Sequence, residues 1–381
     1  MLDVYCPTEP LVAAFQIADG LAPNNSTKPI LSNILLNAED DHLEILVTDS
    51  QVGMRLVLPG LEVAQAGQVI VPARKLYSIL KETDSTSIRL QAVGDASSAN
   101  VHIHLSDGNY RLLAVVGENF PMISKFPEDI PSITLPPAVL SRLFDKTAFA
   151  VDHDRNNVVL SGLLFQVVDN QLICTATDGK VLSEARTKEG DFADTGETKI
   201  VIPASTVSHL QKIMRGHEVE SVAIALITDK QLISIRLALQ SGTKIEITSR
   251  LVDGIYPTYE NALPPSNEHE IGFGRQALSA AVRRTALLAQ GNTKAIIAEV
   301  EKDQAVFSNM TSVAGSATIP IQCSYDGPAL RIGLNSKYLK EVLDHLGGDD
   351  FVLGYNGSGR GMIIRQGDEQ VFLIMPINVD R

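Results

Sequence analysis

An α+β fold built from three copies of one domain follows from three observations on this 381-residue chain. The stretch Gln68-Val-Ile-Val-Pro-Ala-Arg-Lys-Leu-Tyr-Ser-Ile-Leu80 joins a β-branched run to apolar residues at helical spacing. It recurs as Lys199-Ile-Val-Ile-Pro-Ala-Ser-Thr-Val-Ser-His-Leu-Gln-Lys-Ile213 and, more loosely, as Leu330 to Leu343. Corresponding positions are 72, 203 and 334, a step of 131 residues each time, and a fixed period of that kind marks duplicated structural units. Within each copy two helical patterns alternate with strand patterns, so each copy combines two helices with a mostly antiparallel set of strands.

The first copy opens with a strand from Leu2 to Tyr5 and a helix from Thr8 to Ala18, carried by Leu11, Val12, Phe15 and Ile17. Ile34 to Asn37 and Leu43 to Asp49 read as strands paired across the turn Asp40-Asp41. A helix over 72 to 82 begins at Pro72, whose fixed φ suits a first turn. Strand-like runs follow at Ser87 to Leu90, Asn100 to Leu105 and Tyr110 to Val115, and Phe126-Pro-Glu-Asp-Ile-Pro131 is a connector.

In the second copy, Ile133-Thr-Leu leads to a helix from Pro136 to about Ala150. Leu163 to Val168 then pairs with Leu172 to Thr177, a helix spans 203 to 215, and Ser221 to Arg250 supplies strands. After the connector Leu263 to His269 the third copy has Ile271-Gly-Phe, a helix from Arg275 to Gln290 and a last strand ending at Val371-Phe-Leu-Ile-Met-Pro376. The expected domains are therefore 1–131, 132–268 and 269–381.

The formal net charge is −13, from 32 basic and 45 acidic residues, so the average surface repels polyanions. The six expected helices depart from that average. They hold twelve basic residues (among them Arg142, Lys146, Arg275, Arg283 and Lys340) against six acidic ones, a net +6 that leaves −19 for the rest of the chain. A surface made of these helices would attract phosphates. No helix interleaves aromatic and basic residues, so such contact would be indifferent to base sequence.

Cys6, Cys174 and Cys323 lie far apart, which points to buried thiols in a reducing compartment. The first residues lack a basic stretch ahead of an apolar one, and no apolar run nears the roughly 18 residues that cross a bilayer. A cytoplasmic protein without membrane partners is expected.

Candidate chemistry is sparse. Thr177-Asp-Gly179 has the residues of an acid/base or metal site, but a turn after a strand accounts for it, and Thr48-Asp49 repeats it without the glycine. His102-x-His104 puts two imidazoles on one strand face with no third ligand nearby in sequence. Gly357-Ser-Gly-Arg-Gly361 lacks the Gly-Lys-Ser/Thr ending of a phosphate loop and reads as a hairpin turn. A nucleophile elbow and a catalytic Cys/His pair are missing as well. No enzyme activity, cofactor or metal is expected.

Five segments in order, Lys28-Pro-Ile-Leu-Ser-Asn33, Val71-Pro-Ala-Arg-Lys75, Ala176-Thr-Asp-Gly179, Arg250-Leu-Val-Asp-Gly-Ile-Tyr-Pro257 and Met375-Pro376, resemble the β sliding clamp family. That family is the beta subunit of bacterial DNA polymerase III, and the similarity spans essentially the whole chain. It implies three DNA-clamp domains, each with two helices on an inner face and antiparallel sheets outside, in a head-to-tail dimeric ring around double-stranded DNA. It also implies a processivity factor whose partners are the replicative polymerase, the clamp loader and repair proteins, held through short linear motifs.

By the same resemblance the dimer interface sets Tyr110 and Leu112, on an edge strand, against Leu287 and Leu288 near the end of the 275 to 290 helix. The peptide groove takes Leu160, Thr177, Gly179, Lys180, Leu182, Pro257, Asn335, Tyr338, Met362, Leu373, Ile374, Met375 and Pro376. Lys28, Arg74, Lys75, Arg155 and Lys212 are the DNA-facing candidates. Lys180, Val181 and Asn261 depart from the family's common His, Arg and Arg, and the chain runs on past Pro376, which bears on the preferred partner motif. The competing expectation is a duplicated clamp-like scaffold that binds partner peptides without encircling DNA.

Overall fold

The computed structural model describes the whole chain except residues 1, 96–97, 117–118, 155–156, 193–195, 292–293, 310–314, 358 and 379–381. Its first third runs β1 (Asp3–Pro7), α1 (Thr8–Leu21), β2 (Asn33–Glu39), β3 (His42–Thr48), β4 (Val52–Leu58), β5 (Glu62–Gln65), β6 (Gly67–Pro72), α2 (Ala73–Leu80), β7 (Ser87–Asp95), β8 (Ser98–His104) and β9 (Asn109–Leu113). Next come β10 (Ser132–Leu135), α3 (Pro137–Thr147), β11 (Gly162–Val168), β12 (Gln171–Thr177), β13 (Val181–Thr187), β14 (Thr198–Pro203), α4 (Ala204–Gly216), β15 (Val219–Ile227), β16 (Leu232–Leu239) and β17 (Lys244–Arg250). The last third contains β18 (His269–Gly274), α5 (Arg275–Ala286), β19 (Ala295–Glu301), β20 (Gln304–Asn309), β21 (Thr318–Gln322), β22 (Leu330–Asn335), α6 (Ser336–His345), β23 (Asp350–Tyr355), β24 (Met362–Gln366) and β25 (Gln370–Ile374).

Strand-then-helix recurs three times, as β6–α2, β14–α4 and β22–α6. Pro72 and Pro203 close the first two strands, but the third ends at Asn335, so the residue in the place of the prolines is Asn335 and not Leu334. Its side chain accepts from the backbone N–H groups of Lys337 (3.0 Å) and Tyr338 (3.4 Å). An asparagine cap thus starts the helix that proline's fixed φ starts elsewhere. The helix from Arg275 stops at Ala286, short of the expected Gln290, because the N–H groups of Leu287 and Leu288 turn back to the carbonyls of Arg284 and Thr285. Leu287 and Leu288 therefore follow the helix instead of ending it.

The described chain forms two compact units. One comprises Met1–Ser141, Glu189–Gly196 and Ser205–Leu251, the other Arg142–Lys188, Glu197–Ala204 and Val252–Arg381. In the first unit the sheets run β5-β1-β7-β8-β9 and β10-β15-β16-β17-β4-β3-β2-β6. In the second they run β21-β20-β19-β22 and β14-β11-β12-β13-β25-β24-β23-β18. Both eight-stranded sheets continue from one sequence copy into the next, through β17 against β4 (Ile247 opposite Met54) and β13 against β25 (Leu182 opposite Leu373). Compactness and sequence repetition thus divide the chain differently.

Helices pack in pairs within each unit, α1 on α2 and α5 on α6. Leu11, Phe15 and Ala18 of α1 and Leu76 and Leu80 of α2 are buried at the three-to-four-residue spacing that the sequence displays. In the second unit Leu278, Ala281 and Val282 of α5 meet Leu339, Val342 and Leu343 of α6 in one core with Phe273, Phe307 and Phe372. Cys6 and Cys174 are buried free thiols, and burial pushes Cys6 up to about 12. Cys323 is only half-buried.

Candidate functional site

The hairpin between β12 and β13 is built from its own side chains. Thr177 Oγ1 donates to the Val181 carbonyl (2.6 Å) and accepts from the Gly179 N–H (3.0 Å). Asp178 Oδ1 accepts from the N–H groups of Lys180 (2.8 Å) and Val181 (2.9 Å). The first copy makes the same turn with Thr48 and Asp49, and there Ser50 holds φ 81° where Gly179 holds 85°. Thr-Asp is thus a device for a tight turn, and the glycine in the second copy relieves a left-handed position that serine tolerates in the first.

The first turn reaches β17, where the Arg250 N–H bonds to the Gln51 carbonyl, and the second gathers α6 and the chain end. Asp178 Oδ2 accepts from the Tyr338 hydroxyl (2.6 Å), which ties the turn to α6. The Lys180 carbonyl accepts from the Met375 N–H (2.7 Å), which ties it to the chain end, and the Ile377 N–H bonds to the Gly333 carbonyl beyond. Burial and this bond to Asp178 raise the Tyr338 phenol above its ordinary pKa.

Strand alternation sorts the neighbouring side chains into two sets. Leu182 of β13 and Leu373 of β25 lie opposite each other and share an apolar cluster with Leu160, Leu164, Val201, Tyr256 and Tyr259. Val159, Val252, Leu263 and Met375 lean on it, half-buried, and Ile255 beside it is 93% exposed. Their neighbours Val181 and Ile374 belong to the other face of the sheet, in the main core of the unit. Met362 lies opposite Ile374 and is wholly buried there. Met362 and Ile374 are accordingly corrected from slot-lining residues to core residues.

Below the cluster, Thr175 Oγ1 donates to the Tyr259 hydroxyl (3.0 Å), which donates to the buried Glu184, itself paired with Arg186. Every member of this buried chain has a partner. Burial first, and then the Glu184 charge, raises the Tyr259 phenol. The arrangement gives an apolar floor with a fixed polar frame and a half-open rim, suited to one or two apolar side chains of an extended segment.

Of the expected groove residues, Leu160, Leu182, Leu373 and Met375 come together, and Thr177, Gly179, Lys180, Asn335 and Tyr338 form the adjoining turn and helix start. Pro257 is exposed between buried Tyr256 and Tyr259, and Pro376 is half-buried. Sequence reasoning passed over Tyr256, Tyr259 and Val252, although the segment Arg250 to Pro257 that carries two of them was prominent. The sequence signal is Gly254 itself, and the structure shows what it serves: φ is +127° there, and an added Cβ would lie 2.5 Å from Val159 Cγ2.

Of the basic candidates, Lys28, Arg74, Lys75 and Lys212 are all exposed, with Arg74 4.0 Å from Asp19. Arg155 lies outside the described residues. Tyr110 sits on β9, the edge of the five-stranded sheet, and is 47% exposed. Leu112, two residues on, lies opposite the buried Val101 of β8 and is 9% exposed, so little of it is open in the single chain. Leu113 (68% exposed) and Leu287 (79% exposed) are the apolar side chains left open at these places. His104 Nδ1 is 2.9 Å from Asn109 Oδ1, and its ring stacks with His102. Among the described residues no group of three His, Cys, Asp or Glu is placed to hold a metal, and no helix is long and apolar enough to cross a membrane.

Family models for the DNA polymerase III beta subunit match the chain in order: the N-terminal domain over residues 2–124, the central domain over 134–258 and the C-terminal domain over 260–378. The chain belongs to the DNA polymerase III beta subunit family. A beta sliding clamp of Pseudomonas aeruginosa is 26% identical over 97% of this chain and 98% of its own length. One from Caulobacter vibrioides is 27% identical over 89% of each. The crystal structure of a sliding clamp from Pseudomonas aeruginosa bound to griselimycin superimposes with a TM-score of 0.89 at 24% identity, covering 99% of this chain and all of that one. The fold of the beta subunit family, three clamp domains with six helices and antiparallel sheets, is thus the fold of this protein.

Proposed function

We propose that this protein is a DNA sliding clamp that closes as a head-to-tail dimer around duplex DNA and tethers the replicative polymerase, clamp loader and repair proteins. The observation that carries the reading is the division of charge, +6 on the helices against −19 elsewhere, in a chain whose successive domains are those of the beta subunit family. A ring is retained by topology, so its attraction for phosphates needs only to be weak and indifferent to sequence. Its three domains divide at about residues 131 and 268.

In this reading partner peptides enter the slot over Leu160, Leu182, Leu373 and Met375, framed by Thr177, Gly179, Lys180, Pro257, Asn335, Tyr338 and Pro376, with Tyr256 and Val252 added to its wall. Lys28, Arg74, Lys75, Arg155 and Lys212 face DNA. The dimer closes between the edge at β9, with Tyr110 and Leu113, and the Leu287-Leu288 segment that follows α5. The protein works in the cytoplasm and holds its partners in place without catalysing a reaction.

The test is retention on DNA. Protein assembled on a nicked circle should stay bound through a gel-filtration column in moderate salt and leave when the circle is cut once. Equal loss from circular and linear DNA would refute encirclement.

A further inference from the structure

One face of the eight-stranded sheet in the first unit carries a trough with opposite charges at its two sides. Cross-strand register sets its floor. Lys244 of β17 lies opposite Ala238 of β16, which lies opposite Ser221 of β15, and the neighbouring row runs from Arg236 of β16 through Ala223 of β15 to Thr134 of β10. Ala238, Ala223 and Ser221 are small, so the middle of both rows lies low between longer side chains. The hollow measures 940 Å³, within the roughly 300–1,000 Å³ of ligand sites. All of its lining belongs to the first compact unit.

The walls are fixed by the protein itself. Arg236 lies over the Phe126 ring, 4.3 Å from its centroid, and pairs with Glu128. On the other side Asp191 and Thr134 exchange both backbone hydrogen bonds, 2.8 and 3.2 Å. Gly190, at φ +143°, packs so closely there that an added Cβ would lie 2.9 Å from the Thr134 carbonyl oxygen. A preformed site spares its ligand the cost of ordering it. Two charged groups on the lining, Lys244 and Glu220, have no side-chain hydrogen bond or ion pair among the described residues. Glu220 is an extra residue in β15, because Val219 lies opposite Leu239 and Ser221 opposite Ala238. Strict alternation would send Glu220 to the face away from Ser221, and the bulge instead leaves both lining the trough. Lys244 and Glu220 are two strand spacings apart, about 10 Å.

We infer that this trough binds an extended peptide segment of a partner protein, one that carries an acidic and a basic side chain about 10 Å apart. The carboxylate of the segment meets Lys244 beside Arg236, its cationic group meets Glu220 beside Asp191, and small residues between them lie over Ala223 and Ala238. Side chains two or three residues apart on an extended backbone span that distance, at about 3.3 Å per residue. Recognition here is by paired charge on a flat floor of small residues, unlike the apolar slot over Leu160 and Leu182. It stands whether or not the protein encircles DNA.

The test titrates the full-length protein at low salt into three short labelled peptides, blocked at both ends and followed by fluorescence anisotropy. One has a glutamate and a lysine separated by two alanines, one has two glutamates at those places, and one has two lysines. Wild-type protein should prefer the bipolar peptide. Lys244→Glu should weaken that peptide about tenfold and make the dibasic one the best ligand, and Glu220→Lys should make the diacidic one the best. The double variant, with the two charges exchanged and the net charge restored, should prefer the bipolar peptide again. Both positions are exposed, so an unchanged melting temperature would verify that each variant folds. Absence of bipolar-peptide binding to wild type at millimolar concentration would overturn the proposal. So would a peptide ranking that neither substitution alters, or a double variant that fails to recover the bipolar preference.

Discussion

At the scale of single residues, the slot depends on positions that tolerate little change. At Gly254 a side chain would adopt φ +127° and drive its Cβ to 2.5 Å from Val159 Cγ2. Gly254→Ala is expected to lower the unfolding free energy by about 1–3 kcal/mol, read from the urea midpoint, because strain and overpacking act at one site. Peptide affinity, measured by fluorescence anisotropy with a labelled apolar peptide, should fall as Val159 is pushed aside. The tyrosines give a pH signature. Tyr256, Tyr259 and Tyr338 are each raised above 10.0, chiefly by burial. A phenol whose folded pKa is raised stabilises the fold fully below its unfolded pKa and loses that contribution as pH climbs toward the folded value. The urea midpoint should therefore fall above about pH 10, and Tyr259→Phe should flatten that fall; a midpoint unchanged up to pH 11 would contradict it.

At the scale of elements, edges and helix ends decide assembly. β9 and β21 each form one edge of a sheet, and an uncovered edge is a ready partner for another strand. Beside the first stands Leu113, and Leu287 and Leu288 follow α5. Leu287→Asp with Leu288→Asp should convert a dimer of about 82 kDa, twice the 41.1 kDa chain, into monomer by light scattering. Leu113→Lys should weaken the dimer, and Leu112→Ala should act mainly on stability, because Leu112 is buried.

Element type was legible wherever period and punctuation agreed. α1, α2, β2, β3 and the first two strand-to-helix joints follow from apolar spacing and proline, and the third follows from apolar spacing alone. β4, β5 and β13 are not legible, because Val52–Leu58 and Val181–Thr187 mix apolar and polar residues without strict alternation, even though a turn precedes each. Within the site, Leu182 and Leu373 were legible. The swap of Met362 and Ile374 into the core was not, since only the pairing of β24 with β25 shows which face each residue takes.

At the scale of the whole molecule, a net −13 coexists with basic helices, and the two have separate effects. Long-range repulsion from the acidic majority should keep encounters with free DNA ends slow, and contact at the helices is short-range and salt-sensitive. Arg74→Glu with Lys75→Glu and Lys212→Glu should cut duplex affinity at low salt and leave the melting temperature within a few degrees of wild type. An unaltered affinity would place the DNA contacts elsewhere. The two eight-stranded sheets bear on how such a chain can be dissected. Because β25 is flanked on one side by β13 from the preceding copy, a fragment trimmed to residues 260–378 would expose a full strand of unpaired N–H and C=O groups. Such a fragment has a template for uncontrolled strand addition and should aggregate on expression, whereas a cut at residue 252, with residues 142–188 and 197–204 supplied in trans, keeps that ladder covered. Duplication set the period of the sequence, but the sheets have since made the copies inseparable.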